Sequence, residues 1–149
     1  MAARLLDLTG YPESDQIPEK FPLVVFDSDC ILCSRSMRFL AWMDRRNIVR
    51  LTPAQGKLGE AIYQAMDMPI DNYETFLLVE QSLVWGKSDA ILRMVYRLGW
   101  PWRALGLLRV IPRPVRDSVY TLVARHRYKI FGRRQACGLN QPSLSDKII

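Results

Sequence analysis

Two thiols, Cys30 and Cys33, follow two carboxylates, Asp27 and Asp29, at the end of the apolar run Leu23-Val24-Val25-Phe26. Thiols at this C-x-x-C spacing can exchange electrons through a mutual disulfide or share a metal ion. The apolar run reads as a strand and the residues after Cys30 as a helix, which puts the pair at a strand-to-helix junction. Unpaired backbone N–H groups and the positive end of the helix dipole stabilise a thiolate there, and the thiolate is the nucleophile of disulfide exchange. Redox chemistry is therefore the first reading of the chain.

Cys30 lies nearer the helix start, so it is expected to be the more exposed thiol and the attacking thiolate. Cys33, one turn further in, is then the resolving thiol. Ile31 and Leu32 offer no charge or hydrogen bond to a thiolate, which favours a reductant or isomerase poise over a strong oxidant. Asp27 ends an apolar strand, where burial would raise its pKa and let it exchange a proton with Cys33. Asp29 has the place of a helix cap, although its charge would oppose ionisation of Cys30. Capping and turn formation alone are the alternative for both aspartates.

Two other chemistries compete for these residues. Cys30, Cys33, His126 and Cys137 add up to a possible zinc ligand set. His126 is the sole histidine and no second C-x-x-C completes a ribbon, so the metal reading ranks below disulfide exchange. An apolar strand ending in Asp27-x-Asp29 is also similar to haloacid dehalogenase-like phosphatases, with Asp27 as nucleophile and Asp29 as acid. That chemistry needs a later acidic pair for magnesium, and no adjacent acidic pair follows.

The elements that must position the thiols follow from the apolar periodicity. Leu23 to Phe26 is a continuous run, consistent with a strand buried on both faces. Cys33, Met37, Leu40 and Ala41 mark one face of a helix from Cys30 to about Asn47. A strand over Ile48 to Thr52 stops at Pro53. A helix over Gln55 to Met66 carries Leu58, Ala61, Ile62 and Ala65 at helical spacing. Thr75 to Val79 and Ser82 to Trp85 form a hairpin. Ser88 is placed to cap a helix from Asp89 to about Leu98, with Ile91, Leu92, Val95 and Tyr96 facing inward. Residues 1 to 21 read as an irregular lead-in, and helices are expected at about Trp102 to Arg109 and Pro114 to Phe131, where Pro114 suits a first turn.

With 149 residues and 49% apolar content the chain suits one domain with its own core. It carries no secretory h-region near its start and no run of about 20 apolar residues for a bilayer span, so a cytoplasmic place is expected. Three cysteines in a reducing compartment favour redox or metal use over structural disulfides. The net charge of +6 is uneven: Ala90 to Ala136 holds eleven Lys/Arg against Asp117 alone, a net +10. Within this module Arg113, Arg116, Asp117, Tyr120, Arg127 and Tyr128 are the most patterned residues. They could pair internally, Arg116 or Arg127 with Asp89 or Asp117, or form a cationic rim orienting an anionic or thiol substrate near Cys30. Trp100, Trp102 and the leucines 105, 107 and 108 are assigned to the core in preference to a membrane face, with docking on anionic lipid kept open. Nucleic acid ranks below both as a partner.

The order of elements is similar to that of the thioredoxin fold. Four segments together resemble the DCC family, named for its Asp-x-x-Cys-x-x-Cys signature: Asp27 to Cys33, Lys87-Ser88-Asp89-Ala90, Ile111 to Tyr120, and Arg127-Tyr128-Lys129-Ile130-Phe131-Gly132. The likeness spans about Leu23 to Cys137. It implies an α/β protein with a thioredoxin-like β-α-β-α-β-β-α core, about residues 22 to 99, and a basic helical extension, about 100 to 137. It also implies thiol-disulfide oxidoreductase activity, with no cofactor, acting on a disulfide or thiol substrate with an electron donor of its own. Where thioredoxins have a cis-proline before the third core strand, this chain has Asn72-Tyr73-Glu74-Thr75. The alternative is a non-enzymatic module that kept the fold and binds a partner through its extension.

Overall fold

Every residue of the strand β2 (Leu23–Phe26) is buried, because both faces of the sheet it belongs to are covered. In this computed structural model, which describes residues 3–133 and 146–149, β2 is an interior strand of a five-stranded sheet. It pairs in parallel with β3 (Arg50–Pro53), Val24 opposite Leu51, and antiparallel with β4 (Leu77–Glu80), Val24 opposite Leu78. The hairpin from β4 to β5 (Leu83–Gly86) turns through Gln81 and Ser82, both at positive φ, which is what a two-residue turn matched to strand twist demands. The parallel step from β2 to β3 is bridged by helix α1 (Ile31–Met43), and α2 (Lys57–Ala65) and α3 (Lys87–Arg97) complete the βαβαββα unit. This is a thioredoxin-like α/β fold.

The period-2 alternation of strand side chains sorts the core into two layers. Leu23, Val25, Leu77 and Val79 pack with Leu58, Ala61 and Ile62 of α2 on one face. Val24, Phe26, Leu51 and Leu78 pack with Met37 and Leu40 of α1 and with Ala90, Met94 and Leu98 of α3 on the other. Helix α2 sits so close to β3 that a Cβ on Gly59 would come within 2.2 Å of the Pro53 carbonyl oxygen, so only glycine fits there.

Several expectations are corrected. The lead-in is not wholly irregular: β1 (Arg4–Leu5) pairs antiparallel with β5 and lengthens the sheet. Ser88 does not cap α3. The cap is Gly86, and Ser88 sits inside the first turn. On α3 the residues turned inward are Ala90, Leu92, Met94 and Val95, whereas Ile91 and Tyr96 are exposed. The last residues of the chain run beside β3, where Leu51 exchanges backbone hydrogen bonds with Lys147 and Ile149, and the Lys147 ammonium meets the buried Asp44 carboxylate at 2.6 Å.

The extension begins as a 3-10 segment, Trp102–Val110, and continues as the long helix α4 (Arg113–Phe131), with Pro114 in its first turn. Helix α4 packs against α1 and α3 and buries Ala124 and Arg127. Most of its apolar content is not buried. Trp100 is 81% exposed and Leu107 75%, and Leu105 and Leu108 are also exposed, so the expectation of a core role for these residues fails. Trp102 of that group is half-buried, with its ring edge-on to Phe39 and Trp42. Among the described residues no helix is long and apolar enough to cross a membrane.

Candidate active site

Strand β2 delivers Asp27 and the loop after it delivers Cys30 to the start of α1. The residue that caps this helix is Cys30 itself, not Asp29. The Cys30 Sγ accepts the backbone N–H of Cys33 at 3.4 Å and so takes the place of a capping side-chain oxygen. Asp29 instead donates its own N–H to Asp27 Oδ1 at 3.0 Å, closing a turn that hands the chain from strand to helix.

A sulfur in that position is in a field suited to negative charge. The Cys33 thiol donates to Cys30, burial opposes, and the Cys33 N–H and the Arg127 guanidinium add to the stabilisation, which together bring the Cys30 pKa down to about 6. Cys33 shifts the other way, because its proton is the one shared with the Cys30 sulfur and because burial disfavours a second thiolate. The two thiols therefore titrate as a unit, one ionised and one protonated near neutral pH. Both are free thiols.

The expected order of exposure is reversed. Cys30 has no accessible surface, while Cys33 keeps some, although the Cys33 sulfur is the more deeply embedded of the two in protein mass. The chain just past α4 runs beside Cys30: Arg133 forms a β-bridge with it, and the preceding Gly132, at φ +82°, lies against Ile31. The Arg133 guanidinium in turn stacks on the Tyr128 ring.

Asp27 is the polar centre of the site. Its Oδ1 accepts from Asp29 N and from Gln55 Nε2 at 2.6 Å, and its Oδ2 accepts from the Tyr128 hydroxyl and from Arg127 Nη2 at 2.9 Å. Arg127 and Asp27 are both almost wholly buried, so the pair is an internal ion pair; neutral donors fill the rest of the carboxylate, whereas Arg127 Nε has no hydrogen-bond partner among the described residues. No hydrogen bond joins Asp27 to either thiol among the described residues, and the expected pairing of Arg127 with Asp89 or Asp117 is replaced by Asp27. The Asp27 charge acts on Cys30 in the opposite sense to Arg127, raising its pKa.

Arg127 and Tyr120 also bind the backbone that precedes β4. Arg127 Nη2 donates to the Tyr73 carbonyl at 2.7 Å, and the Tyr120 hydroxyl accepts from Phe76 N at 2.7 Å and donates to the Glu74 carbonyl at 3.2 Å. In thioredoxins the corresponding loop carries the cis-proline; here side chains of α4 occupy its polar groups. Cys33 faces instead a groove of about 410 Å³ between α1, α3 and α4, walled by Leu32, Met37, Phe39, Phe76, Met94 and Val123 among others. A larger open cleft of about 890 Å³ lies against Leu6 to Thr9 and Ile17, away from both cysteines.

The remaining candidates form a separate cluster. Arg116 reaches Asp89 at 3.3 Å and Ser88 at 3.5 Å, Ser88 donates to Asp117, and Arg113 meets Asp89 at 3.3 Å. This network joins α3 to the first turns of α4, and none of its members lines the groove beside Cys33. His126 is exposed on α4, with its ring Nδ1 at 2.8 Å from the Leu122 carbonyl oxygen. Cys137 lies outside the described residues. Gln55 reads in the sequence only as the first residue of the helix expected over Gln55 to Met66; that helix starts at Lys57, and nothing local marks the reach of Gln55 to Asp27 and Ser28.

The chain is 32% identical over 136 residues to the uncharacterised protein YuxK of Bacillus subtilis, a match covering 91% of this chain and 98% of that one. It is 31% identical over 122 residues to a DCC family protein of Arabidopsis thaliana described as chloroplastic, covering 81% of this chain and 71% of the plant protein. No solved structure matches it significantly. The model of the DCC1-like thiol-disulfide oxidoreductases matches residues 24–133, the stretch from β2 to the arginine that bridges to Cys30, and the chain belongs to that family.

Proposed function

We propose that this protein is a thiol-disulfide oxidoreductase in which Cys30 attacks a substrate disulfide and Cys33 resolves the mixed disulfide. The observation that carries the reading is the position of the Cys30 sulfur as the cap of α1, hydrogen-bonded by Cys33 N–H and brought down to about pKa 6. The Cys30 thiolate attacks one sulfur of the substrate disulfide and the other leaves as a thiolate. Cys33 then surrenders its proton and attacks Cys30, releasing the second substrate thiol and leaving a Cys30–Cys33 disulfide. An external thiol returns the pair to the dithiol by the same exchange in reverse.

Two features of the site bear on how this runs. Loss of the Cys30 thiolate into a mixed disulfide removes the acceptor that held the Cys33 proton, so the resolving thiol becomes more acidic when it is needed. Arg127, fixed by Asp27 and Tyr128, is the charge that favours each thiolate in turn. Asp27 acts as the positioning residue of that cation. Because Cys30 has no accessible surface, attack requires a local opening around the sulfur, and the β-bridge from Cys30 to Arg133 is one contact that such an opening would loosen. The protein works in the cytoplasm on this reading, where a dithiol pair is kept reduced.

Reduction of a small disulfide by the dithiol form is the test. Cys30→Ser should bring turnover to background, and Cys33→Ser should accumulate a mixed disulfide detectable by intact-mass measurement. Unchanged turnover in both variants would rule the assignment out.

A further inference from the structure

The face of α4 that points away from the core is mostly apolar, with the exposed His126 set among its aliphatic side chains. Val115, Val119, Leu122 and Ile130 are exposed, Ile130 by 70%. At about 100° per residue these four fall within one stripe on the side away from Ala124 and Arg127, the residues α4 buries. A helix that only covers a core shows the opposite pattern, polar outside. The stripe does not end at the helix. Val115 and Val119 wall a second apolar groove of about 300 Å³ together with Leu108 and Ile111, so the exposed surface of the 3-10 segment, where Val110 is 85% exposed, joins it. Exposed apolar side chains grouped in this way, and not scattered singly, are the pattern of a binding face.

Its charge says what the face meets. Among the described residues from Trp100 to Arg133 the only acid is Asp117, which is bonded to Ser88, whereas Arg103, Arg109, Arg113, Arg125 and Lys129 are all exposed. By helical spacing Arg125 and Lys129 flank the stripe along one side. Trp100 projects at the edge of the module, a residue type whose amphipathic ring suits a membrane interface. A second copy of the chain would bring an equally cationic face against this one in a two-fold dimer, which like charges oppose. A flat anionic surface with an apolar interior satisfies both the stripe and its cations.

We infer that the 3-10 segment and the outer face of α4 form a docking surface for anionic lipid bilayers, which lie along the stripe with the flanking arginines and lysine at headgroup level. The inference does not depend on the redox chemistry. It does fix where that chemistry would occur, since Val123 and Tyr120 of the same helix wall the groove that holds Cys33.

Vesicle flotation with the full chain tests it. Vesicles of phosphatidylcholine mixed with phosphatidylglycerol should carry the protein up the gradient, and vesicles of phosphatidylcholine alone should carry far less. Leu122→Glu should weaken the partitioning at least about tenfold, the scale of losing one buried leucine. Arg125→Gln should weaken it about fivefold, one cation's share of the attraction to an anionic surface. Both variants should keep full disulfide-exchange activity on a soluble substrate, so loss of lipid binding is read apart from any failure of the cysteine site. Absence of wild-type binding to the anionic vesicles, or binding that Leu122→Glu leaves unchanged, would overturn the inference. So would light scattering that finds a wild-type dimer dissolved by Leu122→Glu, which would assign the face to a second copy.

Discussion

Helix α4 is tied to the core by an arginine near each end, and the two ties differ in kind. Arg127 meets Asp27 at 2.9 Å with both side chains almost fully buried, and the carboxylate is saturated by Gln55, Tyr128 and the Asp29 N–H. Arg116 meets Asp89 at 3.3 Å with only 10% and 8% of their side chains exposed, and shares it with Arg113, whose side chain is 56% exposed. The first tie sits beside two thiols and alters their ionisation; the second lies between two helices and has no thiol near it. The same pair of residue types thus stands beside candidate redox thiols in one place and between two helices in the other, and nearness to a nucleophile, more than burial, is what separates them.

The largest effect expected from this comparison is on stability. Arg127→Met leaves the Asp27 carboxylate buried without its cation and should cost about 3–5 kcal/mol in urea unfolding, whereas the double variant Arg127→Met/Asp27→Leu should recover much of that loss. A cost as small for Arg127→Met as for Arg113→Ala would erase the distinction between the two ties.

A second contrast lies in the thiolate. Absorbance of the reduced protein near 240 nm should rise as pH passes through about 6, and Cys30→Ser should remove that step. Cys33→Ser should move the step upward, toward the ordinary thiol range, because the strongest stabilising donor becomes a hydroxyl with a different reach. Arg127→Lys keeps the charge and should keep the step near its wild-type position. Arg116→Met, by contrast, should leave the thiolate titration where it is while lowering stability. Movement of the step by Arg116→Met would join the two clusters into one site.

The smallest effect is expected at Arg113. Its ion pair is largely solvated, so Arg113→Ala should change stability by less than about 1 kcal/mol and leave disulfide exchange untouched.

What the sequence makes legible follows from how local the signals are. The strand Leu23–Phe26, the helix after it and the hairpin β4–β5 are written in runs, periods and turn residues a few positions apart, and the C-x-x-C pair carries its chemistry in its own spacing. Two features escape local reading. That Cys30 caps α1, and Asp29 does not, depends on the turn that Asp27 makes with the Asp29 N–H. That Cys30 is buried and bridged to Arg133 depends on a pairing between residues far apart in the chain. Arg127 stands out as part of a pattern, yet its partner Asp27 could not be chosen over Asp89 because opposite charges carry no address in a sequence. The apolar content of the extension was expected in the core, since hydrophobicity reports a need for burial without naming what does the burying.

The central claim is that Cys30 and Cys33 form a working redox pair, and equilibration of the protein in glutathione buffers of graded potential, followed by acid quench and intact-mass measurement, addresses it most directly. The account requires a reversible loss of two hydrogens that maps to Cys30 and Cys33, follows a two-electron curve and disappears in Cys30→Ser. A protein that keeps both thiols at every potential, or that only accumulates glutathione adducts without closing the Cys30–Cys33 disulfide, would contradict it.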